Sequence, residues 1–259
     1  MDKIVKELKI IGGFNKIKAK ENIDISLKPG DVYSVVGKTG AGKSRLLSDI
    51  CCLAQGDTFT GRKILINGEA PKEEERYAID ENFIAEISQN MNSIMDLTVE
   101  DFIIMHSGTN SIFGDITKID EVVECANTLV SERFKKKTSL VQLSPGQSRA
   151  LMIAEVALLS KAQIIVIDEL ENVSVNKKKV LELLIRENKI IIISTHDPIL
   201  TFACDKRILI EDGGIVKIIN TSEKEKKSLE YFFEIEKKMT EISNGIDRGE
   251  SFSNFEFKI

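Results

Sequence analysis

Residues 37–44 constrain the fold of this chain more than any other segment. They read Gly-Lys-Thr-Gly-Ala-Gly-Lys-Ser and match the phosphate-loop pattern GxxxxGK(S/T) at every fixed position. A short apolar run at residues 32–36 precedes the loop, and apolar residues at helical intervals follow it at residues 45–50. This order predicts a strand, a loop and a helix, which is the setting in which such a loop binds phosphate.

The chemistry of this loop comes from its backbone and from two side chains. Glycines allow successive N–H groups to point at phosphate oxygens, and the following helix adds the positive end of its dipole. Lys43 is predicted to reach the β- and γ-phosphates, and the Ser44 hydroxyl to ligate Mg²⁺. The predicted phosphate-binding residues are Gly37, Lys38, Thr39, Gly40, Ala41, Gly42, Lys43 and Ser44. A chance glycine-rich turn is the alternative, and the flanking strand and helix disfavour it.

Composition and charge exclude several classes of function. The 259 residues are 42% hydrophobic and 30% charged, with a net charge of −5 at pH 7. Nucleic-acid-binding proteins usually have a basic surplus, so no nucleic-acid partner is expected. No apolar stretch approaches the roughly 20 residues of a membrane-spanning helix, and no signal peptide is apparent. We therefore expect a cytoplasmic protein that reaches the inner face of a membrane only through a partner.

The pattern of apolar residues predicts an α/β fold with three parts. Short strand candidates at residues 4–11, 23–27 and 63–66 indicate antiparallel β structure. Apolar residues at helical intervals in residues 99–105 and 119–130 indicate a helical lobe. From residue 151 onward, helices alternate with buried aliphatic strands, which is typical of a parallel sheet covered on both faces.

Two aliphatic runs end in residues suited to nucleotide chemistry. Residues 164–167 lead into Asp168 and Glu169, where Asp168 is predicted to hold Mg²⁺ and Glu169 to polarise an attacking water. Solvated acids at a strand end are the alternative for this segment taken alone. Residues 190–194 lead to His196, and the carboxyl ends of strands form the ligand-binding edge of an α/β sheet.

The segment Leu-Ser-Pro-Gly-Gln at residues 143–147 resembles the LSGGQ signature of ATP-binding cassette (ABC) ATPases. The resemblance covers residues 1–220 and has the family's landmarks in order: residues 37–44 as Walker A, Gln89 as the Q-loop, residues 143–147 as the signature, Asp168 in Walker B, Glu169 as the catalytic glutamate, and His196 as the switch histidine. It implies a P-loop NTPase of ABC type that binds ATP and Mg²⁺ and hydrolyses ATP.

The resemblance also implies an ATP site shared by two cassettes. Ser144 and Gly146, with the helix that begins near Gln147, are expected to contact the γ-phosphate of ATP held by a partner cassette. That partner is a second copy of this chain or another cassette. Phe14, which lies 29 residues before Lys43, occupies the position of the adenine-stacking aromatic. Gln89 is expected to ligate Mg²⁺ and to link the nucleotide to the helical lobe.

Three departures from the family pattern indicate a divergent branch. Pro145 occupies the third position of the signature, and the interval from Glu169 to His196 is shorter than in most importer cassettes. Residues 170–176 replace the usual D-loop, so the expected aspartate is missing or replaced by Asn176. The prediction of ATP binding is unchanged, whereas an unusual coupling between cassettes is expected.

The predicted ABC domain spans residues 1–220, with the helical lobe at about 85–150, and a helical tail spans 221–259. In the tail, Ser222 and Glu225 form a capping-box pattern that precedes a one-sided apolar stripe. The stripe consists of Leu229, Phe232, Ile235, Met239, Ile242 and Ile246. Packing on its own cassette is the favoured interpretation, and dimerisation or docking is the alternative.

Two functions follow from the resemblance. The first is the ATP-hydrolysing subunit of a transporter with a separate permease. The second is an ABC ATPase that acts on protein partners, for instance in metal-cluster or cofactor assembly. Family frequency favours transport, and the sequence names no substrate or direction of transport.

Overall fold

The computed structural model of the protein describes residues 4–77, 83–87, 97–106, 116–169, 175–186 and 188–251. The strands are β1 (Leu8–Ile11), β2 (Ile25–Leu27), β3 (Val32–Val36), β4 (Lys63–Ile66), β5 (Ile84–Ile87), β6 (Ile164–Asp168), β7 (Ile190–Ser194), β8 (Lys206–Glu211) and β9 (Gly214–Asn220). The helices are α1 (Lys43–Cys51), α2 (Glu73–Tyr77), α3 (Val99–His106), α4 (Ile116–Leu129), α5 (Pro145–Leu158), α6 (Lys177–Arg186), α7 (Pro198–Ala203) and α8 (Glu223–Asp247), with a 3₁₀ turn at Leu140–Gln142.

The main sheet has six strands in the order β5-β6-β7-β3-β8-β9. All neighbours are parallel except β8 and β9, which form an antiparallel pair. The aliphatic strands β6 and β7 are buried almost throughout, as expected for strands covered on both faces. Strand β5, which the apolar pattern did not predict, forms the edge beside β6.

Alternate residues of the central strands belong to two different apolar cores. In β6, Ile165 and Ile167 pack with the residues of α3 to α7. Ile164 and Val166 of the same strand pack with α1 and with the smaller antiparallel sheet. This alternation follows from the two-residue period of a strand, and it makes the sheet the central layer of the domain.

The smaller sheet has the order β2-β1-β4 and is antiparallel, as predicted. Its first strand begins at Leu8, although the apolar pattern suggested a start at residue 4. In the segment before β1, the backbone N–H groups of Lys6 and Glu7 donate to the side-chain Oδ1 of Asn67, the residue that follows β4. The N–H of Asn67 donates to Glu7 O at 2.9 Å, so side-chain and backbone hydrogen bonds together hold this segment beside the end of β4.

Helix α8 packs on the domain to which it is attached. It begins with the predicted capping box, in which Ser222 accepts from the N–H of Glu225 and the Glu225 carboxylate accepts from the N–H of Ser222. Phe232 contacts Phe202 of α7, with ring centroids 5.6 Å apart. No helix within the described ranges is long and apolar enough to cross a membrane.

Candidate functional site

The predicted site residues meet at one edge of the main sheet. Strands β3, β6 and β7 are adjacent, and Ser194 at the end of β7 pairs with both Asp168 of β6 and Val35 of β3. The phosphate loop follows β3, Glu169 follows β6, and His196 follows β7. Because parallel strands end at the same edge, three segments that are distant in sequence share one surface.

The phosphate loop requires glycine at two positions because other backbone lies close to it. A Cβ at Gly37 would lie 2.3 Å from the carbonyl oxygen of Ile210, and one at Gly42 would lie 2.9 Å from Cα of Gly213. Gly42 also has φ 107° at the N-cap of α1, in a region that favours glycine. The N–H of Gly213 donates to Ala41 O at 2.7 Å, which ties the loop to the β8–β9 hairpin.

Lys43 is buried at the centre of the site. Its ammonium donates to the carbonyl oxygen of Gly37 at 3.0 Å and lies 2.8 Å from Nε2 of His196. A lysine ammonium has only donors, so Nε2 of His196 must accept this bond.

Asp168 and Glu169 have geometries that fit a catalytic role. Oδ1 of Asp168 is buried and has no hydrogen-bond partner among the described residues. Such an oxygen fits a hydrated Mg²⁺, which prefers carboxylate and water ligands. Glu169 has φ 51°, an uncommon value for a residue with a side chain, and its N–H donates to Ser194 O at 3.0 Å. Glu169 lines the same pocket as residues of the phosphate loop.

A pocket of about 340 Å³ opens beside the phosphate loop. Its lining residues are Phe14, Asn15, Lys16, Thr39, Gly40, Gly42, Lys43, Ser44, Arg45, Phe59, Thr60, Glu169 and Gly213. The pocket therefore joins the predicted adenine-stacking residue, the phosphate loop and the predicted catalytic glutamate.

Phe14 forms one wall of this pocket. Its N–H donates to Thr60 O at 2.7 Å, and its ring lies against Gly61, where a Cβ would come within 3.2 Å. Phe14 is 45% exposed, which leaves its side chain accessible to a base.

Phe59 is a second aromatic wall that the sequence analysis missed. It is exposed, and the cationic groups of Lys18 and Arg45 lie 4.6 Å and 5.0 Å from its ring centroid. These cation–π contacts hold the ring at the mouth of the pocket. No spacing rule distinguishes Phe59 from other loop aromatics, so only the tertiary structure identifies it.

A buried ion cluster lies beneath the pocket and was also missed. The Arg62 guanidinium is fully buried, and it donates to Glu21 Oε1 at 2.5 Å, Asp49 Oδ2 at 2.9 Å and Gly213 O at 2.8 Å. Glu21 also accepts the N–H of Gly13 at 2.8 Å. The cluster joins the segment that precedes Phe14, helix α1 and the hairpin that contacts the phosphate loop.

Arg62 favours the ionised form of Glu21. Burial acts to raise the pKa of Glu21, but the hydrogen bonds and charge of Arg62 outweigh it and hold that pKa below its ordinary value. Both carboxylates are thereby satisfied inside a region that excludes water.

The signature segment forms a regular helix start. Ser144 is the N-cap of α5, with Gln147 completing a capping box, and Pro145 is at the first helical position. Proline is well tolerated there because its missing N–H needs no partner and its φ suits a helix. Helix α5 therefore begins at Pro145, two residues before the predicted start. Gly146 is buried, whereas Ser144 is exposed.

Within the described ranges, the pocket lining does not include Ser144, Gly146 or Gln147, the signature residues that were predicted to contact ATP. Gln89 and residues 170–174 lie outside the described residues. Asn176, the predicted D-loop substitution, immediately precedes α6, and its Oδ1 accepts from the N–H of Lys179 at 3.0 Å. Asparagine is among the preferred residues for such a helix cap.

Comparisons with known proteins agree with this architecture. The sequence profile of the ABC transporter family matches residues 20–172. An uncharacterized ABC transporter ATP-binding protein of Methanocaldococcus jannaschii is 46% identical over 241 residues, which are 93% of this chain and 89% of that protein. A ribose import ATP-binding protein of Lacticaseibacillus paracasei is 26% identical over 163 residues, which are 62% of this chain and 32% of that protein.

Solved structures support the same fold. The dimeric structure of a bacterial ABC transporter cassette superposes with a TM-score of 0.65 at 22% identity, covering 83% of this chain and 99% of that one. A part of the cbiONQ ABC transporter complex of Clostridium perfringens superposes with a TM-score of 0.64 at 18% identity, covering 94% of this chain and 100% of that one. The family profile, the sequence relative and the arrangement of the phosphate loop, Walker B strand and signature lead to one conclusion: this chain belongs to the ABC transporter family, as an ATP-binding cassette.

Proposed function

We propose that this protein binds MgATP in the pocket beside the phosphate loop and hydrolyses it to ADP and phosphate. The observation that carries the proposal is the convergence of Lys43, His196, Asp168 and Glu169 at one edge of the sheet. A cation, an imidazole and two carboxylates are groups that suit phosphoryl transfer to water.

Each group has a distinct role in the proposed reaction. Lys43 neutralises charge on the β- and γ-phosphates, and a γ-phosphate beside Lys43 is within reach of His196. Glu169 orients and polarises the attacking water. Phe14 stacks on adenine, and the N–H groups of residues 37–44 bind phosphate oxygens. Ser44 and Asp168, with Gln89, would hold Mg²⁺, which neutralises phosphate charge.

We infer that the active form contains two cassettes. The signature residues Ser144, Gly146 and Gln147 do not line the pocket of their own chain in the described part of the structure. Ser144 and Pro145 at the start of α5 are exposed, and the positive end of the helix dipole there suits a phosphate from a neighbouring molecule. A second copy of this chain or another cassette would supply that phosphate.

A transporter subunit with a separate membrane permease is the function we propose for this dimer. The relative named as a ribose import ATP-binding protein supports transport as the class of process. This chain spans 32% of the length of that relative, so its substrate and partners are not assigned to this chain. Action on protein partners remains the alternative, and no comparison favours it.

The division of the chain is also a proposal. Residues 1–220 are the cassette, with a helical lobe at about 85–150 that is suited to receive a permease, and the tail begins after Asn220. Location at the inner face of a membrane would then depend on the permease.

The test is the Glu169→Gln variant, which retains shape but loses negative charge and most basicity. It should bind MgATP with nearly unchanged affinity, hydrolyse it about 10²-fold more slowly or worse, and shift from monomer to dimer in size-exclusion chromatography when MgATP is added. Glu182→Gln, at an exposed position of α6, is the matched control and should behave as the wild type. Turnover by Glu169→Gln near the wild-type rate would remove Glu169 from the mechanism.

A further inference from the structure

One lysine joins the C-terminal helix to the segment that contains His196. Lys177, the first residue of α6, donates to Asp197 Oδ2 at 2.7 Å and to Glu236 Oε1 of α8 at 2.5 Å. The Lys177 and Asp197 side chains are only 13% and 14% exposed, and Glu236 is 36% exposed. Partly buried ion pairs are screened less by salt and solvent than pairs at the open surface.

Asp197 transmits this contact to the catalytic edge of the sheet. It follows His196 directly, and its Oδ1 accepts from the N–H groups of Ile199 and Leu200 at the start of α7, at 2.8 Å and 3.1 Å. Its other carboxylate oxygen is bound by Lys177. With both oxygens occupied, the turn between β7 and α7 that carries His196 has one preferred orientation.

We propose that Lys177 is a positioning residue for His196, and that helix α8 takes part in ATP hydrolysis through Glu236. The chain of contacts runs from Glu236 to Lys177, then to Asp197, and through one peptide bond to His196, which lies 2.8 Å from Lys43. The tail is therefore part of the hydrolytic machinery as well as a packing element. The inference rests on the proposed role of His196 beside the γ-phosphate.

Lys177 keeps its charge in this setting. Burial acts to lower its pKa, but the hydrogen bonds to Asp197 and Glu236 outweigh burial and raise that pKa above its ordinary value. The contact is therefore a constant feature near neutral pH.

Other contacts keep α8 attached when the Glu236 contact is removed. Arg207 pairs with Glu225 at 2.6 Å, and Lys226 pairs with Asp205 at 2.9 Å. Phe232 contacts Phe202. Loss of the Glu236 side chain alone should therefore leave α8 attached to the domain. An effect of this variant on kcat would then reflect the position of His196 and not detachment of the helix.

The experiment uses the full chain and compares Lys177→Met and Glu236→Ala with Lys226→Met. The control variant removes the ion pair between Lys226 and Asp205, whose side chains are 38% and 48% exposed. In the described structure, this pair does not contact Asp197 or His196. We expect Lys177→Met to lower kcat about tenfold and Glu236→Ala about threefold, each with Kd for ATP within about twofold of wild type. The double variant should be no slower than Lys177→Met, because both changes break one pathway.

A second measurement is independent of turnover. The chain has two histidines, so the imidazole signals in an NMR spectrum can be assigned with a His106→Gln variant. Lys177→Met and Glu236→Ala should shift the His196 signal, and Lys226→Met should leave it unchanged. Unchanged His196 signals in both variants would overturn the inference, as would wild-type kcat in both. A wild-type protein without ATPase activity would instead refute the proposed function, and the His196 signals would still decide the inference.

Discussion

Nζ of Lys43 lies 2.8 Å from Nε2 of His196, although 153 residues separate them in the chain. The contact bridges the ends of the adjacent parallel strands β3 and β7. The Lys43 ammonium and the His196 imidazole therefore both lie beside the proposed position of the γ-phosphate.

This relationship predicts different effects for the two side chains. His196→Ala should lower kcat about 10²-fold, since it removes a group placed at developing charge, and should leave MgATP affinity nearly unchanged. Lys43→Met should weaken MgATP binding about tenfold to a hundredfold, because it removes charge-assisted hydrogen bonds to phosphate. Single-turnover kinetics and calorimetry separate the two outcomes. Equal loss of affinity in both variants would contradict the assignment.

The two aromatic walls predict separate contributions to base binding. Phe14→Ala should weaken ATP binding by about 1–2 kcal/mol, the scale of one aromatic–base stack, and Phe14→Tyr should preserve it. Phe59→Ala should weaken ATP binding less, because the cationic groups of Lys18 and Arg45 already contact the Phe59 ring and compete with a base for it. Inorganic triphosphate is the control ligand, and equal loss of its affinity would indicate a damaged fold rather than a lost stack.

The buried cluster predicts a large effect on stability. Arg62→Met leaves Glu21 and Asp49 buried without their cation, so we expect a loss of about 3–5 kcal/mol in the free energy of unfolding. Lys63→Met changes the adjacent exposed lysine and should cost less than about 0.5 kcal/mol. Urea denaturation measures both. A loss below about 1 kcal/mol for Arg62→Met would mean that water or rearrangement compensates the two carboxylates.

The same cluster predicts a pH dependence of stability. The folded-state pKa of Glu21 lies below its ordinary value of 4.5, so its contribution is fully present above pH 4.5 and is lost as pH falls through the folded-state pKa. Glu21→Gln should therefore flatten the acid side of the stability profile, measured by urea denaturation at pH 3 to 7. An unchanged slope below pH 4.5 would show that other carboxylates dominate acid unfolding.

Local sequence determined the elements of the catalytic edge. The glycine spacing of residues 37–44 and the aliphatic runs before Asp168 and His196 are short-range patterns. Short apolar runs and the turn residues that bound them predicted β3, β4 and β7 with the bounds that the structure has. The Ser222 capping box was predictable for the same reason, because both partners lie within one helical turn.

Only the tertiary structure shows which ion pairs support the catalytic edge of the main sheet. Arg62 pairs with Glu21, 41 residues away, and with Gly213, 151 residues away, while Lys177 reaches Glu236 across 59 residues. No periodicity marks such pairs, because charged residues of this kind are usually solvated and become partners only when the sheet order brings their segments together. The sequence alone therefore determined which residues suit ATP chemistry, whereas long-range packing decided which buried charges position them.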